Sequence, residues 1–117
     1  MKYFVLLAGF GEMPAWDQLP PAEQEAAMAK HAAFDEACAA RDGVSIVSAE
    51  ALGDGSTATT LRTRRGDLVV TDGPFAEAAE QIGGYYVLHA RDLDTIIDLC
   101  RILPAYDIEI RPVVDTG

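Results

Sequence analysis

The stretch Lys2-Tyr3-Phe4-Val5-Leu6-Leu7-Ala8-Gly9 decides the fold. Side chains of a strand alternate between its two faces. Tyr3, Val5 and Leu7 therefore share one side, Phe4, Leu6 and Ala8 share the other, and both sets are apolar. Such a run is expected of a central strand with something packed on each side. Gly9, Gly11 and Pro14 end it. The apolar stretch is less than half the length that spans a bilayer, and Glu12 and Asp17 follow it without a small-residue cleavage site. A buried first strand is thus expected, not a leader or an anchor.

Beyond it, residues 22–41 are strong helix formers, opened by Pro20-Pro21 and closed by Gly43. Ala27, Met28, His31, Phe34 and Cys38 recur at three- and four-residue spacing, which predicts one stripe facing a sheet. Residues 44–52 read as a second strand. Residues 57–64 and 68–71 read as a hairpin around Arg65-Gly66-Asp67. Pro74 is preset for the first position of a short helix, with Gly83-Gly84 just past its end. Residues 85–90 form a third main strand, Asp92 caps a helix over 93–103 that Pro104 stops, and residues 107–113 make the last strand.

With the hairpin and short helix set aside as an insertion, the order is β-α-β-β-α-β, an α+β, ferredoxin-like arrangement in one domain over residues 1–117. Its two long helices lie on one face of the sheet. The doubly apolar first strand then leaves the opposite face uncovered, and a second copy related by a two-fold axis is the expected cover. The insertion is the rival cover, although a short hairpin rich in Thr and Arg is a poor lid for an apolar surface.

Nineteen Asp and Glu against nine Lys and Arg give a formal charge of -10, which repels phosphate backbones and anionic lipid headgroups. Neither nucleic acid nor membrane is expected as a partner. Cys38 and Cys100 fit neither a disulfide framework nor a zinc spacing, and both read as reduced thiols of a cytoplasmic protein. Metal-site, P-loop, G-x-S-x-G and dinucleotide signatures are missing, so no metal or cofactor is expected.

His31 is the first candidate for chemistry, because an imidazole on a sheet-facing stripe can titrate near neutrality and exchange protons with a bound small molecule. Its bland counterpart is a hydrogen-bonded core histidine. Asp72, before Gly73-Pro74, can shape the entry to the short helix and can also orient His31 or a ligand. Asp35, four residues after His31, is a rival partner or a solvated acid. His89 shares a strand face with Tyr85 and Val87 and is either a ligand contact or a satisfied interface histidine. Arg62, Arg64 and Arg65 on the hairpin can attract an anion or simply guard a strand edge, and Phe75 beside them is a further ligand-binding candidate. Glu77 and Glu80 suit the first turns of the short helix.

The stretch Val70-Thr71-Asp72-Gly73-Pro74-Phe75-Ala76-Glu77, with Glu80, Gly83-Gly84-Tyr85-Tyr86 and Glu109-Ile110-Arg111-Pro112-Val113, resembles the YCII-related proteins that carry the DGPF motif. Lys2-Tyr3 and His31-x-x-Phe34 are similar to the same family, so the likeness runs over residues 1–113. Ala78-Ala79 departs from the family's usual Thr-Lys, and any role of that lysine is missing here. The resemblance implies a dimeric α+β barrel, a histidine and an aspartate as proposed site residues, and a link of some members to extracytoplasmic-function sigma factors. Two functions follow. One is a small-molecule enzyme or binder doing cofactor-independent acid/base chemistry at His31 and Asp72. The other is a non-catalytic regulatory or interaction module, and fold analogy alone does not choose between them.

Overall fold

The structure, a computed structural model, describes residues 1–9, 14–75 and 82–117. In chain order the elements are β1 (Lys2–Ala8), α1 (Pro21–Ala40), β2 (Ser45–Ala51), β3 (Thr59–Arg64), β4 (Asp67–Asp72), β5 (Ile82–His89), α2 (Leu93–Cys100) and β6 (Asp107–Pro112). The main sheet has the order β2-β5-β1-β6 with every neighbouring pair antiparallel, and β1 is central. β3 and β4 form a separate two-stranded sheet. This topology is consistent with a ferredoxin-like α+β fold interrupted by a hairpin.

The core lies between the sheet and both helices. Tyr3, Val5 and Leu7 of β1 and Tyr86 and Leu88 of β5 pack with Phe34 and Cys38 of α1 and Ile96 and Leu99 of α2. Helix α1 starts with Pro21 in its first turn, where a missing N–H costs nothing, and Gly43 turns the chain into β2 with φ +76°. Asp92 caps α2 by accepting the Thr95 N–H at 2.9 Å.

Register places Phe4, Leu6, Tyr85 and Val87 on the other face, away from the helices. Phe4 and Tyr85 stack there with ring centroids 5.4 Å apart. These four are only partly buried in a single chain. His89, Glu50, Glu109 and Arg111 surround them as the polar border.

Three expectations change. Met28 is 56% exposed, because the stripe of Ala27, Phe34 and Cys38 narrows past it on α1. β5 starts at Ile82 rather than at residue 85, so Gly83 and Gly84 are strand residues, and Gly84 sits where a Cβ would come within 2.9 Å of the Glu50 carbonyl oxygen on β2. Helix α2 ends at Cys100 and tightens into turns in which the N–H groups of Ile102 and Leu103 bond to Leu99 and Cys100. The short helix after Pro74, with Glu77 and Glu80, falls largely outside the described residues.

The hairpin turns through Arg65 (φ +53°) and Gly66 (φ +85°), the paired left-handed conformations of a two-residue primed turn. At its root Gly73 has φ +102°, its N–H donates to the Ala58 carbonyl at 2.7 Å, and its own carbonyl accepts from Thr60 Oγ1 at 2.7 Å. The Asp-Gly-Pro-Phe segment is thereby tied to the start of β3. Left-handed backbone costs an L-residue roughly 1–2 kcal/mol. Gly73→Ala should lower unfolding free energy by about that amount in urea titrations; an unchanged midpoint would show that the corner relaxes freely.

Candidate functional site

Helix α1 presents His31 to the sheet because it follows buried Ala27 by four residues and precedes buried Phe34 by three. Two tyrosines meet it there. Tyr86 points to the helix side of β5, as does Leu88, and its ring packs on Phe34 at 4.7 Å between centroids. Tyr106 follows Leu103 and Pro104, both buried, and its N–H donates to the Pro104 carbonyl at 2.7 Å, so a tight bend before β6 aims it at α1. His31 Nδ1 lies 2.7 Å from Tyr86 Oη, and His31 Nε2 lies 3.0 Å from Tyr106 Oη.

Satisfaction of donors assigns the protons. Tyr86 is only 6% exposed, so its hydroxyl needs an acceptor inside the protein, and Nδ1 is that acceptor. Nε2 then carries the proton and donates to Tyr106 Oη, which leaves the Tyr106 hydroxyl hydrogen free to point outward from a partly exposed ring. The result is a directed line of hydrogen bonds from Tyr86 through His31 to Tyr106.

Burial lowers the His31 pKa from 6.5, partly opposed by the charge of Asp35 one helical turn on. The imidazole is therefore neutral at pH 7. Burial also pushes the Tyr86 hydroxyl up to about 12, with the Asp35 charge adding to it, and raises that of Tyr106. Both phenols stay protonated. Desolvation raises the Cys38 and Cys100 thiols to about 11 each, so neither is a nucleophile near neutrality.

Asp72 stands apart from this group. It closes β4 opposite Thr59 on the two-stranded sheet and is exposed, whereas both His31 nitrogens are taken by tyrosines. Arg62 and Phe75 are brought together: the guanidinium sits 4.8 Å above the Phe75 ring and donates to the Phe75 carbonyl at 2.6 Å. His89 is exposed at the border of the open sheet face, opposite Lys2 and Ser45.

Two clefts mark the described surface. One of about 480 Å³ at the hairpin root is lined by Leu52, Thr60, Leu61, Pro74, Phe75 and Ile82 among others. The other, of about 510 Å³, lies between Arg41, Arg91 and Arg101 and the acids Asp92, Asp94 and Asp98. His31 lines neither. Among the described residues no group of three or more His, Cys, Asp or Glu is placed to hold a metal ion. Among the described residues, too, no helix is long and apolar enough to cross a membrane.

Tyr86 and Tyr106 are the residues that sequence reading missed. For Tyr86 a signal existed: it is in phase with Leu88 and out of phase with Tyr85, Val87 and His89, so it shares the side that the His31 stripe faces. Tyr106, in a bend after a proline, carried none.

The pattern of the YCII-related domain matches residues 3–116, nearly the whole chain. This chain belongs to the YCII-related family. The YCII-related chain is also similar to an uncharacterized protein of Rhizobium meliloti (strain 1021), 44% identical over 63 residues, which cover 50% of this chain and 51% of that protein. It thus spans about half the length of the curated relative it matches.

The lowered His31 pKa has a signed consequence. A neutral imidazole is favoured by the fold, so its contribution to stability is complete above pH 6.5 and is lost as pH falls through the lower, folded-state value. The stability advantage of wild type over His31→Gln should shrink as pH drops below 6.5, measured by urea unfolding at several pH values. An advantage that grows on acidification would contradict the neutral assignment.

Proposed function

We propose that this YCII-related chain is a small-molecule enzyme or binder that performs acid/base chemistry without a cofactor, with His31 at the centre of its proton transfer. The observation that supports the reading is the line Tyr86, His31, Tyr106, in which a neutral imidazole is held at both nitrogens. Tyr106 is its outermost member and meets the substrate. Its hydroxyl gives a proton to a developing oxyanion or carbanion, and the Nε2–H of His31 donates to the phenolate left behind, which stabilises it in a partly dry setting. The phenolate then takes a proton back from another position of the same substrate, which restores the phenol and closes the proton count of an isomerisation.

Tyr86 orients the imidazole in this reading, the part expected of Asp72. Arg62 and Phe75 offer a second contact for a ligand with anionic and apolar parts, since one guanidinium face and several of its N–H groups remain outside the Phe75 bond. His89 serves a ligand only from the open sheet face. The chain acts as a cytoplasmic homodimer of barrel type, with a second copy over that face.

The second reading, a non-catalytic interaction module, draws support from the exposed apolar side chains of the hairpin. A thermal-shift screen against a metabolite panel separates the two. Binding to the folded state raises its melting temperature, so at least one compound should stabilise wild type, and His31→Ala should abolish that shift. Tyr106→Phe should keep binding, cost about 1 kcal/mol of stability or less, and lose turnover of the compound identified. A shift that survives His31→Ala would remove His31 from the site; no shift with any compound would favour the interaction module.

A further inference from the structure

The cleft at the hairpin root takes no part in the His31 chemistry, since His31 does not line it. Its volume of about 480 Å³ lies in the range of clefts that take small molecules. Its walls are mainly apolar: Leu52 comes from just past β2, Pro74 and Phe75 from the corner after β4, and Ile82 from the start of β5. Leu52 and Phe75 are 47% and 66% exposed, so two large apolar side chains open to solvent converge on one cleft.

Hydrogen bonds fix the frame around these walls. The Leu52 N–H donates to the Gly83 carbonyl at 2.9 Å and the Gly73 N–H to the Ala58 carbonyl at 2.7 Å. Thr60, a buried lining residue, donates through Oγ1 to the Gly73 carbonyl at 2.7 Å. A cleft held in this way needs little ordering when a ligand enters, which lowers the cost of binding.

One cation stands at its rim. Arg62 shares the β3 face of Thr60, and its guanidinium sits 4.8 Å from the centroid of the Phe75 ring. Nη2 donates to the Phe75 carbonyl at 2.6 Å, and the other N–H groups have no protein acceptor among the described residues. The ion pairs among those residues, Arg41 with Asp98 and Arg111 with Glu109, lie elsewhere. In a chain with nineteen acids, a guanidinium anchored to backbone rather than to a carboxylate keeps its charge for a ligand. Asp54 is the acid that lines the cleft, and its carboxylate accepts from Ser56 Oγ at 2.6 Å.

We propose that this cleft binds an organic carboxylate with an aromatic body, the body lying against Leu52, Pro74, Phe75 and Ile82 and the carboxylate meeting the free N–H groups of Arg62. The exposed Phe75 ring favours a stacked aromatic partner, and the planar guanidinium fork favours a planar carboxylate. One guanidinium matches one negative charge, whereas a dianionic phosphate would bring a second, unmatched charge to a chain of net charge -10. The inference extends the Arg62 and Phe75 contact named above and stands without the His31 chemistry.

The probe is 2-naphthoate, with 2-naphthalenemethanol as its uncharged counterpart, each titrated into isotopically labelled wild type and followed by amide chemical shifts. The largest shifts should fall on Leu52, Thr60, Phe75 and Ile82. Arg62→Gln should weaken naphthoate binding by about fivefold and leave binding of the alcohol unchanged. Arg64→Gln removes the same charge nearby and should keep naphthoate affinity within about twofold, because exposed charges at a distance are screened. Equal losses in the two arginine variants would make the attraction diffuse and overturn the Arg62 contact. Shifts centred on the open sheet face, or no shifts at millimolar naphthoate, would overturn the cleft. The mapped amides lie apart from His31, so failure of the thermal-shift screen leaves this inference standing, and its own failure leaves the His31 reading standing.

Discussion

Everything in this protein depends on a sheet that is shielded from one side. Helices α1 and α2 pack on the face carrying Tyr3, Val5, Leu7, Tyr86 and Leu88, and the fully buried Val5, Phe34, Cys38, Leu88 and Ile96 define the core. Burying a side chain of that size contributes about 1.5–3 kcal/mol, so these contacts dominate the stability of a small domain. The same geometry leaves the stacked Phe4 and Tyr85 only partly buried, on the face away from the helices. Stability and the open sheet face therefore come from one constraint.

The polar line from Tyr86 through His31 to Tyr106 sits within that shielded layer, and its burial is what makes it chemically distinct. A histidine on an exposed helix face would be solvated and ordinary. Here desolvation outweighs the neighbouring Asp35, and the imidazole stays neutral while both phenols stay protonated. Three neutral groups can share hydrogen bonds in one direction, whereas a protonated imidazole has two donors and no acceptor for the Tyr86 hydroxyl. The arrangement thus links α1, β5 and the bend before β6 while keeping one hydroxyl at the surface.

The Asp-Gly-Pro-Phe segment works differently, through backbone rather than side-chain chemistry. Gly73 takes a conformation that L-residues avoid, and both of its backbone polar groups are bonded to β3 or the residue before it. Asp72 is exposed, and Phe75 serves as the floor under Arg62. The segment is, in this chain, the corner at which the hairpin closes.

Periodicity and punctuation determined the elements. The doubly apolar run Tyr3–Ala8 specified a central strand, Pro21 and Gly43 bounded α1, Asp92 capped α2, and Arg65-Gly66 marked the hairpin turn, because each rests on local backbone preference that needs no partner. The placement of His31 on the sheet-facing stripe was legible for the same reason. Its partners were not. Tyr86 and Tyr106 lie 55 and 75 residues away from it, and only the folding of β5 and the Pro104 bend onto α1 brings their hydroxyls to the imidazole. Likewise the tie between Gly73 and the start of β3 joins residues 13 to 15 positions apart, which no local pattern of residues encodes.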